Sequence, residues 1–339
     1  MFSVKLSEIE PNKYRLSTNI IRSNTKIAKA GMLLDAKLIK HLQNYQIDVI
    51  YVSESKDDVF NIEDFIDTDT YNKVRAALKD CSKIDELIAA CKQLTNCIMN
   101  SSLLNAPIVK MTAKKSDTDR LIDHCIGTAC YAGSIACLSG MTQADVTKYV
   151  TAGLLHDIGK LAVPDQILFS PNKLTEEELV IIRKHPQQGY NILRTYSWIS
   201  EDIRIGVLQH HENYDGTGYP NNLKGDEICD IAKVLHVADV YDALIRQRAY
   251  KPGWQPREAY DYMNEKSGSM FDPKYVEVFK NNVPIYEVGS LVRLSDESLA
   301  VVLRNIQNCT LKPIVISLDG NTAINISNTD MTVDALVNV

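Results

Sequence analysis

Seven histidines stand in this chain, and most of them fall in one segment beside acidic residues. The string Gly153-Leu154-Leu155-His156-Asp157-Ile158-Gly159-Lys160 sets an imidazole and a carboxylate side by side at the end of an apolar run. Imidazole is a good ligand for first-row metals, and a carboxylate can bridge two of them. Lys160 falls one helical turn beyond His156, which predicts a shared face and a cation able to hold a phosphate. A lone His-Asp pair on a helix is more often a hydrogen-bonded couple, so the pair needs company to count as a metal site. A second string supplies it, running His210-His211-Glu212-Asn213-Tyr214-Asp215-Gly216-Thr217-Gly218-Tyr219-Pro220. Two adjacent imidazoles at the end of an apolar helix are costly to bury unless they bind something or find partners. The glycines behind them free the backbone to bring N–H groups up to a phosphate.

Such residues must be held by regular elements. Residues 119–280 read as mostly helical, with loops near 164–173 and 215–226. Upstream, Val74, Leu78, Cys81, Ile84, Ile88, Cys91 and Ile98 recur every three to four positions and predict one long helix over 71–99. The repeat is short and has Cys at key positions, which favours packing on its own protein over a two-helix dimer seam. Residues 1–60 form a small α/β module. In it Val4-Lys5-Leu6, Asn19-Ile20-Ile21 and the alternating run 47–52 predict strands, while Leu38, Ile39 and Leu42 predict a helix. The acidic, polar stretch 53–70 reads as a linker. Beyond Pro284 the pattern changes to short strands over 290–294, 300–303 and 313–316, with Asp319-Gly320-Asn321 as a turn signal. The division expected is 1–60, a helical linker region 61–117, a catalytic domain 118–283 and a β-rich extension 284–339.

Composition sets limits on partners. The net charge is −6, from 37 Lys+Arg against 43 Asp+Glu. An acidic chain lacks the basic surface that polymeric nucleic acid requires, although a small phosphate ligand needs only a few local cations. No unbroken apolar run reaches the length of about 18 residues that spans a bilayer, and Glu8 lies where a signal peptide would be apolar. A cytoplasmic protein is expected. None of the eight cysteines forms a C-x-x-C pair, and several sit at helical spacing in apolar stretches, which predicts buried, reduced thiols.

His156-Asp157 with Ile158-Gly159-Lys160, followed by His211-Glu212, Asp215-Gly216 and Gly218-Tyr219-Pro220, resembles the paired signatures of the HD-GYP family of metal-dependent phosphohydrolases. Leu174-Thr175-Glu176-Glu177-Glu178, His185-Pro186 with Gly189, and Val237-Ala238-Asp239-Val240-Tyr241-Asp242-Ala243-Leu244 fit in the same order. The resemblance covers about 119–280 and implies a mainly α fold: a helical HD-type domain with a small α/β N-terminal module and a small β-rich tail. It implies hydrolysis of cyclic di-GMP to linear pGpG and onward to GMP in some members. The ligands it implies are His124, His156, Asp157, His185, His210, His211 and Asp239, holding two divalent ions, iron or manganese. Asp157 would bridge the ions and share a hydroxide between them. His124, His156 and Asp239 would serve one ion, and His185, His210 and His211 the other. Asp157 and Lys160 are the expected catalytic residues. Lys160, Gly218, Tyr219, Pro220, Arg248 and Lys251 are the expected substrate contacts, while Glu212 and Asp215 orient the histidines or the loop. Members that bind a third metal use a Glu four positions before the first histidine. Arg120 stands there, so two ions are expected. Ala249 replaces the proline of a common Arg-Pro-Tyr substrate motif. His236 and His41 read as packed rather than ligating.

Three readings follow. An active phosphodiesterase is favoured, because the ligand set is complete and Lys160 is retained. A hydrolase of another cyclic dinucleotide or nucleotide is the second, and the Gly-Tyr-Pro string argues against a plain nucleotide. A silent cyclic di-GMP sensor is the third, with a homodimer or signalling partner engaged through the N-terminal region.

Overall fold

The structure is a computed structural model. It describes residues 2–16, 20–22, 25–28, 32–45, 47, 49–53, 68–100, 117–170, 172–246, 253–286, 290–317 and 323–337. The chain separates into two compact units, Met1–Phe65 with Tyr286–Val339, and Ile66–Ile285.

In the first unit β1 (Phe2–Lys5), β2 (Arg15–Leu16), β3 (Ile20–Arg22), β4 (Thr25–Ala28), α1 (Ala36–Asn44) and β5 (Val49–Ser53) follow in chain order. β5 lies between β1 and β2 in an antiparallel sheet, and β3 pairs with β4. Asp35 caps α1 by accepting the Leu38 N–H at 2.7 Å. Leu38, Ile39 and Leu42 recur at helical spacing and join Leu16, Leu34, Ile50 and Val52 in the module core.

The second unit is helical. It contains α2 (Thr68–Lys79), α3 (Leu87–Asn100), α4 (Asp117–Leu138), α5 (Gln143–Leu155), α6 (Asp165–Leu168), α7 (Glu176–Ile182), α8 (His185–Leu193), α9 (Glu201–Gln209), α10 (Asp230–Ile245), α11 (Pro256–Glu265) and α12 (Pro273–Asn282). The single helix expected over 71–99 is broken. Asp80 is extended, at φ −143° and ψ 105°, and its carboxylate accepts the Ser82 N–H and hydroxyl at 3.0 and 2.7 Å. That local capping competes with the helix ladder and opens a 3₁₀ turn over Cys81–Glu86. Val74, Leu78, Ile84, Leu87, Cys91, Leu94 and Ile98 stay buried across the break, so the apolar period runs through it unaltered. Among the described residues, Arg120–Leu138 in α4 is long and apolar enough to cross a membrane, with 72% of the window buried. The unbroken-run criterion misses it because Asp123 and His124 interrupt the run. α4 is apolar on nearly every side because it is a core helix of this unit.

The remainder of the first unit is an antiparallel sheet of β6 (Leu291–Leu294), β7 (Leu299–Arg304), β8 (Ile314–Ser317), β9 (Ala323–Asn325) and β10 (Val333–Leu336), ordered β10-β6-β7-β8-β9. β9 and β10 were not expected from the sequence. The expected turn at 319–321 lies outside the described residues.

Candidate metal centre

Helix ends aim the imidazoles inward. α5 stops at Leu155, and His156 is its C-cap; His210 holds the same place at the end of α9. His185 begins α8, directly behind α7, whose start is fixed by the reciprocal bonds of a Thr175–Glu178 capping box. All three rings use one device: Nδ1 bonds the carbonyl three residues earlier. His156 reaches Gly153 at 2.8 Å, His185 reaches Ile182 at 2.8 Å and His210 reaches Val207 at 2.7 Å. A carbonyl only accepts, so each Nδ1 carries the hydrogen and each Nε2 presents a lone pair. His124 on α4 donates its Nδ1–H to the Asp242 carboxylate at 2.7 Å.

These lone pairs converge. The two oxygens of Asp157 face different rings: Oδ2 lies 3.4 Å from His156 Nε2 and Oδ1 lies 3.3 Å from His185 Nε2. Asp239 Oδ1 is 2.9 Å from His124 Nε2 and 3.8 Å from His156 Nε2, and its Oδ2 is 3.9 Å from His211 Nδ1. His185 Nε2 and His210 Nε2 face each other at 3.3 Å. Two lone pairs at that distance repel unless a cation lies between them. His156 Nε2 and Asp157 Oδ1 are buried without a hydrogen-bond partner, and such orphans call for an ion. The side chains therefore suit metal ions, with three groupings whose donors lie within 4.8 Å of one another: His185, His210 and His211; His124, His156 and Asp157; and His156, His210 and Asp239. The first is the triad assigned to one ion from the sequence. Asp239, assigned with His124 and His156, faces both of them and also groups with His210.

Burial and charge prepare the donors. Burial pushes His185 down to about 4, against the opposing pull of Asp157. Burial also holds His210 and His211 well below the ordinary imidazole range. Burial lowers His124 too, but its hydrogen bonds to Asp239 and Asp242 prevail and raise it to about 9. For Asp157 burial works upward, and Lys160 with the surrounding histidines overcomes it, leaving the carboxyl well below its usual range. Asp239 behaves likewise, with His124 as its main partner. At neutral pH the centre thus offers neutral imidazoles at 185, 210 and 211 and two carboxylates, the forms that bind metal.

Lys160 does not share a helical face with His156, because the helix ends before it. A 3₁₀ turn over Ile158–Ala162 folds its Nζ onto Asp157 Oδ2 at 2.5 Å. The loop after His211 is tied down by Glu212, which is buried and accepts the N–H groups of Asn221 and Leu223 at 2.7 and 3.1 Å. Gly218 packs so closely on the backbone of 211–213 that a Cβ there would collide with it. The Tyr219 N–H donates to His211 O at 3.1 Å, and its ring stacks on the His211 ring with centroids 4.8 Å apart. Pro220 follows, partly exposed. Asp215 is exposed and closes a local turn by accepting from the Thr217 N–H and hydroxyl. His236 bonds Asn213 Oδ1 at 3.1 Å and lies against Phe271, outside all three donor groupings. His41 lies on α1 in the other unit, edge-on to Tyr45. Arg120 sits on α4 one turn before His124. Arg248, Ala249 and Lys251 lie outside the described residues.

Sequence reasoning passed over Asp242 and Arg246. Asp242 holds His124 and also receives Arg246 Nε and Nη2 at 2.7 and 2.6 Å, while Nη2 reaches Asp123 O at 3.0 Å. The signal was present: Asp239 and Asp242 are i,i+3 on α10, so one face carries a candidate donor and the carboxylate that holds His124.

The family model described as HD domain matches residues 100–275. A cyclic di-GMP phosphodiesterase of Pseudomonas aeruginosa is 38% identical over 219 residues, which cover 64% of this chain and 53% of that protein. A cyclic di-GMP phosphodiesterase response regulator of Xanthomonas campestris pv. campestris is 40% identical over 149 residues, 43% of this chain and 39% of that protein. The chain thus spans about half or less of these relatives' length. A solved HDG"Y"P protein from Bdellovibrio bacteriovorus is similar in fold, with a TM-score of 0.50 and 18% identity over 81% of this chain and 97% of that one.

Proposed function

The chain belongs to the HD-domain family, in its HD-GYP branch, and on that premise we propose that its helical unit is a metal-dependent phosphodiesterase that opens cyclic di-GMP to the linear dinucleotide. The observation that carries this reading is the set of imidazoles whose Nδ1 atoms are fixed by carbonyls and whose Nε2 atoms face one another and the carboxylates: His156 and His185 toward Asp157, and His210 toward His185. His124, His156, Asp157, His185, His210, His211 and Asp239 would hold two divalent ions, iron or manganese; Arg120 leaves no carboxylate for a third. Bound metal supplies an activated water and offsets the charge that grows on the phosphate.

The protein's own residues do the rest. Asp157 presents one oxygen to each side of the centre, which suits it to join two ions. Lys160, held beside that carboxylate, meets a non-bridging oxygen of the scissile phosphate and favours the added charge of in-line attack. Glu212 keeps the 212–223 loop closed over His211, and Tyr219 stacks on that imidazole and fixes its plane. In the reaction water adds to phosphorus, the bond from phosphorus to one ribose 3′-oxygen breaks, and that oxygen takes up a proton.

The test is chromatographic turnover of cyclic di-GMP by metal-loaded protein. Lys160→Met is expected to keep its metal and lose about 10²- to 10³-fold in kcat, the usual effect of removing one preorganised group that stabilises the transition state. Asp157→Ala is expected to lose both metal and turnover. Wild-type turnover rates in either variant would refute the assignment.

A further inference from the structure

A cleft of about 300 Å³ adjoins the metal centre within the helical unit. Asp157 and Lys160 line it, so it opens on the reacting phosphate of the reading above. Lys79, Asp165 and Phe169 line it as well. Lys79 ends α2, Asp165 begins α6 and Phe169 caps α6. None of the three belongs to the donor set or to the loop that closes over it. Lys79 and Asp165 are both exposed, and neither has a side-chain partner among the described residues.

The volume lies at the low end of small-molecule sites, enough for one nucleoside half of a cyclic dinucleotide and not for both. The chemistry of the lining narrows the base. A carboxylate is acceptor-only and can take N1–H and an N2–H of guanine at once. The same edge of adenine offers a lone pair at N1, which a carboxylate repels. An aromatic ring gives either base a stacking surface. An exposed ammonium suits a phosphate as a mobile point charge.

We propose that this cleft seats one guanine of the dinucleotide: Asp165 selects guanine over adenine, Phe169 stacks on the base and Lys79 meets the phosphate that is not cut. The proposal rests on the phosphodiesterase reading for its ligand and is tested without turnover. Hydrolysis-resistant phosphorothioate analogues of cyclic di-GMP and cyclic di-AMP are titrated by calorimetry into the metal-loaded chain. Wild-type protein should prefer the guanine analogue by about ten-fold or more, the worth of charge-assisted hydrogen bonds. Asp165→Asn should bring the two affinities within about three-fold of each other, and Asp165→Glu should restore the preference. Phe169→Ala should weaken both analogues by about ten-fold and leave their ratio unchanged. An unaltered ratio in Asp165→Asn, or no base preference in the wild type, overturns the proposal. Base selection without hydrolysis of cyclic di-GMP would overturn the phosphodiesterase reading alone, and hydrolysis with an unaltered ratio would overturn this inference alone.

Discussion

Asp242→Asn separates the role of a carboxylate outside the proposed donor set from the roles of the proposed ligands. The wild-type carboxylate takes the His124 Nδ1–H at 2.7 Å on Oδ2 and both Arg246 donors at 2.6 and 2.7 Å. An asparagine offers one oxygen for these donors. Arg246 can only donate, so the amide oxygen must turn to it and the NH₂ must face His124. That partner favours the imidazole tautomer with hydrogen on Nε2, the atom that would bind metal. Loss of such an orienting partner costs about 10- to 100-fold in metal affinity, or about 1.4–2.7 kcal/mol. The weakened Arg246 pair, 17% and 2% exposed at its two side chains, should also lower stability by about 3 kcal/mol. Arg246→Met gives the contrast: similar destabilisation with Asp242 still holding His124, and metal affinity within about three-fold of wild type. Competition titration of Mn²⁺ against a fluorescent chelator, with thermal melts of the metal-free proteins, reads both quantities. Wild-type affinity in Asp242→Asn would refute the claim that this carboxylate sets the His124 tautomer.

Three further outcomes follow from the same geometry. Gly127→Ala places a methyl against Asp242 Oδ1 and Arg246 Nη2; metal titration should show an affinity loss like that of Asp242→Asn, although no charge has changed. Glu212→Gln weakens the acceptor for the Asn221 and Leu223 amides, costing about 1–3 kcal/mol of loop closure, and hydrogen exchange should quicken at those two amides first. The pH dependence of chelator-treated protein has a defined sign. His185 is depressed from 6.5 to about 4, so the unfolded chain takes up a proton that the folded chain refuses. Stability should therefore fall as pH drops from 6.5 to 4, by on the order of 3 kcal/mol from this residue, with His210 and His211 acting in the same direction. His124 is raised to about 9, so its contribution is complete below 6.5 and is lost as pH rises through 9. Melting temperatures that stay flat from pH 6.5 to 4 would contradict this.

The candidate donors in the two strings, His156-Asp157 and His210-His211, stand out by residue type, whereas His124, His185 and Asp239 came only with the family resemblance. Neither the His-Asp pair nor the His-His pair is specific by itself; their order along one segment, with the Gly-Tyr-Pro string behind them, is what made them readable. Features set by three-dimensional pairing were not legible. Asp242 and Arg246, four apart at the end of α10, look like a solvated surface pair until α4 brings His124 against Asp242. The break at Asp80 was hidden because Ile84 and Leu87 keep the helical period while the backbone tightens into a 3₁₀ turn. The face expected to be shared by Lys160 and His156 required a continuous helix, but the α-helix stops at Leu155 and a 3₁₀ turn brings Lys160 onto Asp157. β9 and β10 are short and partly polar, and only their pairing with β8 and β6 makes them strands.

The most direct test of the whole account is metal content and turnover measured in one anaerobic preparation. Bound iron and manganese are counted by mass spectrometry, and cyclic di-GMP products are separated by chromatography. Two ions per chain, with linear dinucleotide as the product and both lost in His156→Ala and Asp157→Ala, is the predicted result. Folded protein that binds no metal, or that turns over cyclic di-GMP equally well without it, would contradict the assignment of the histidine cluster.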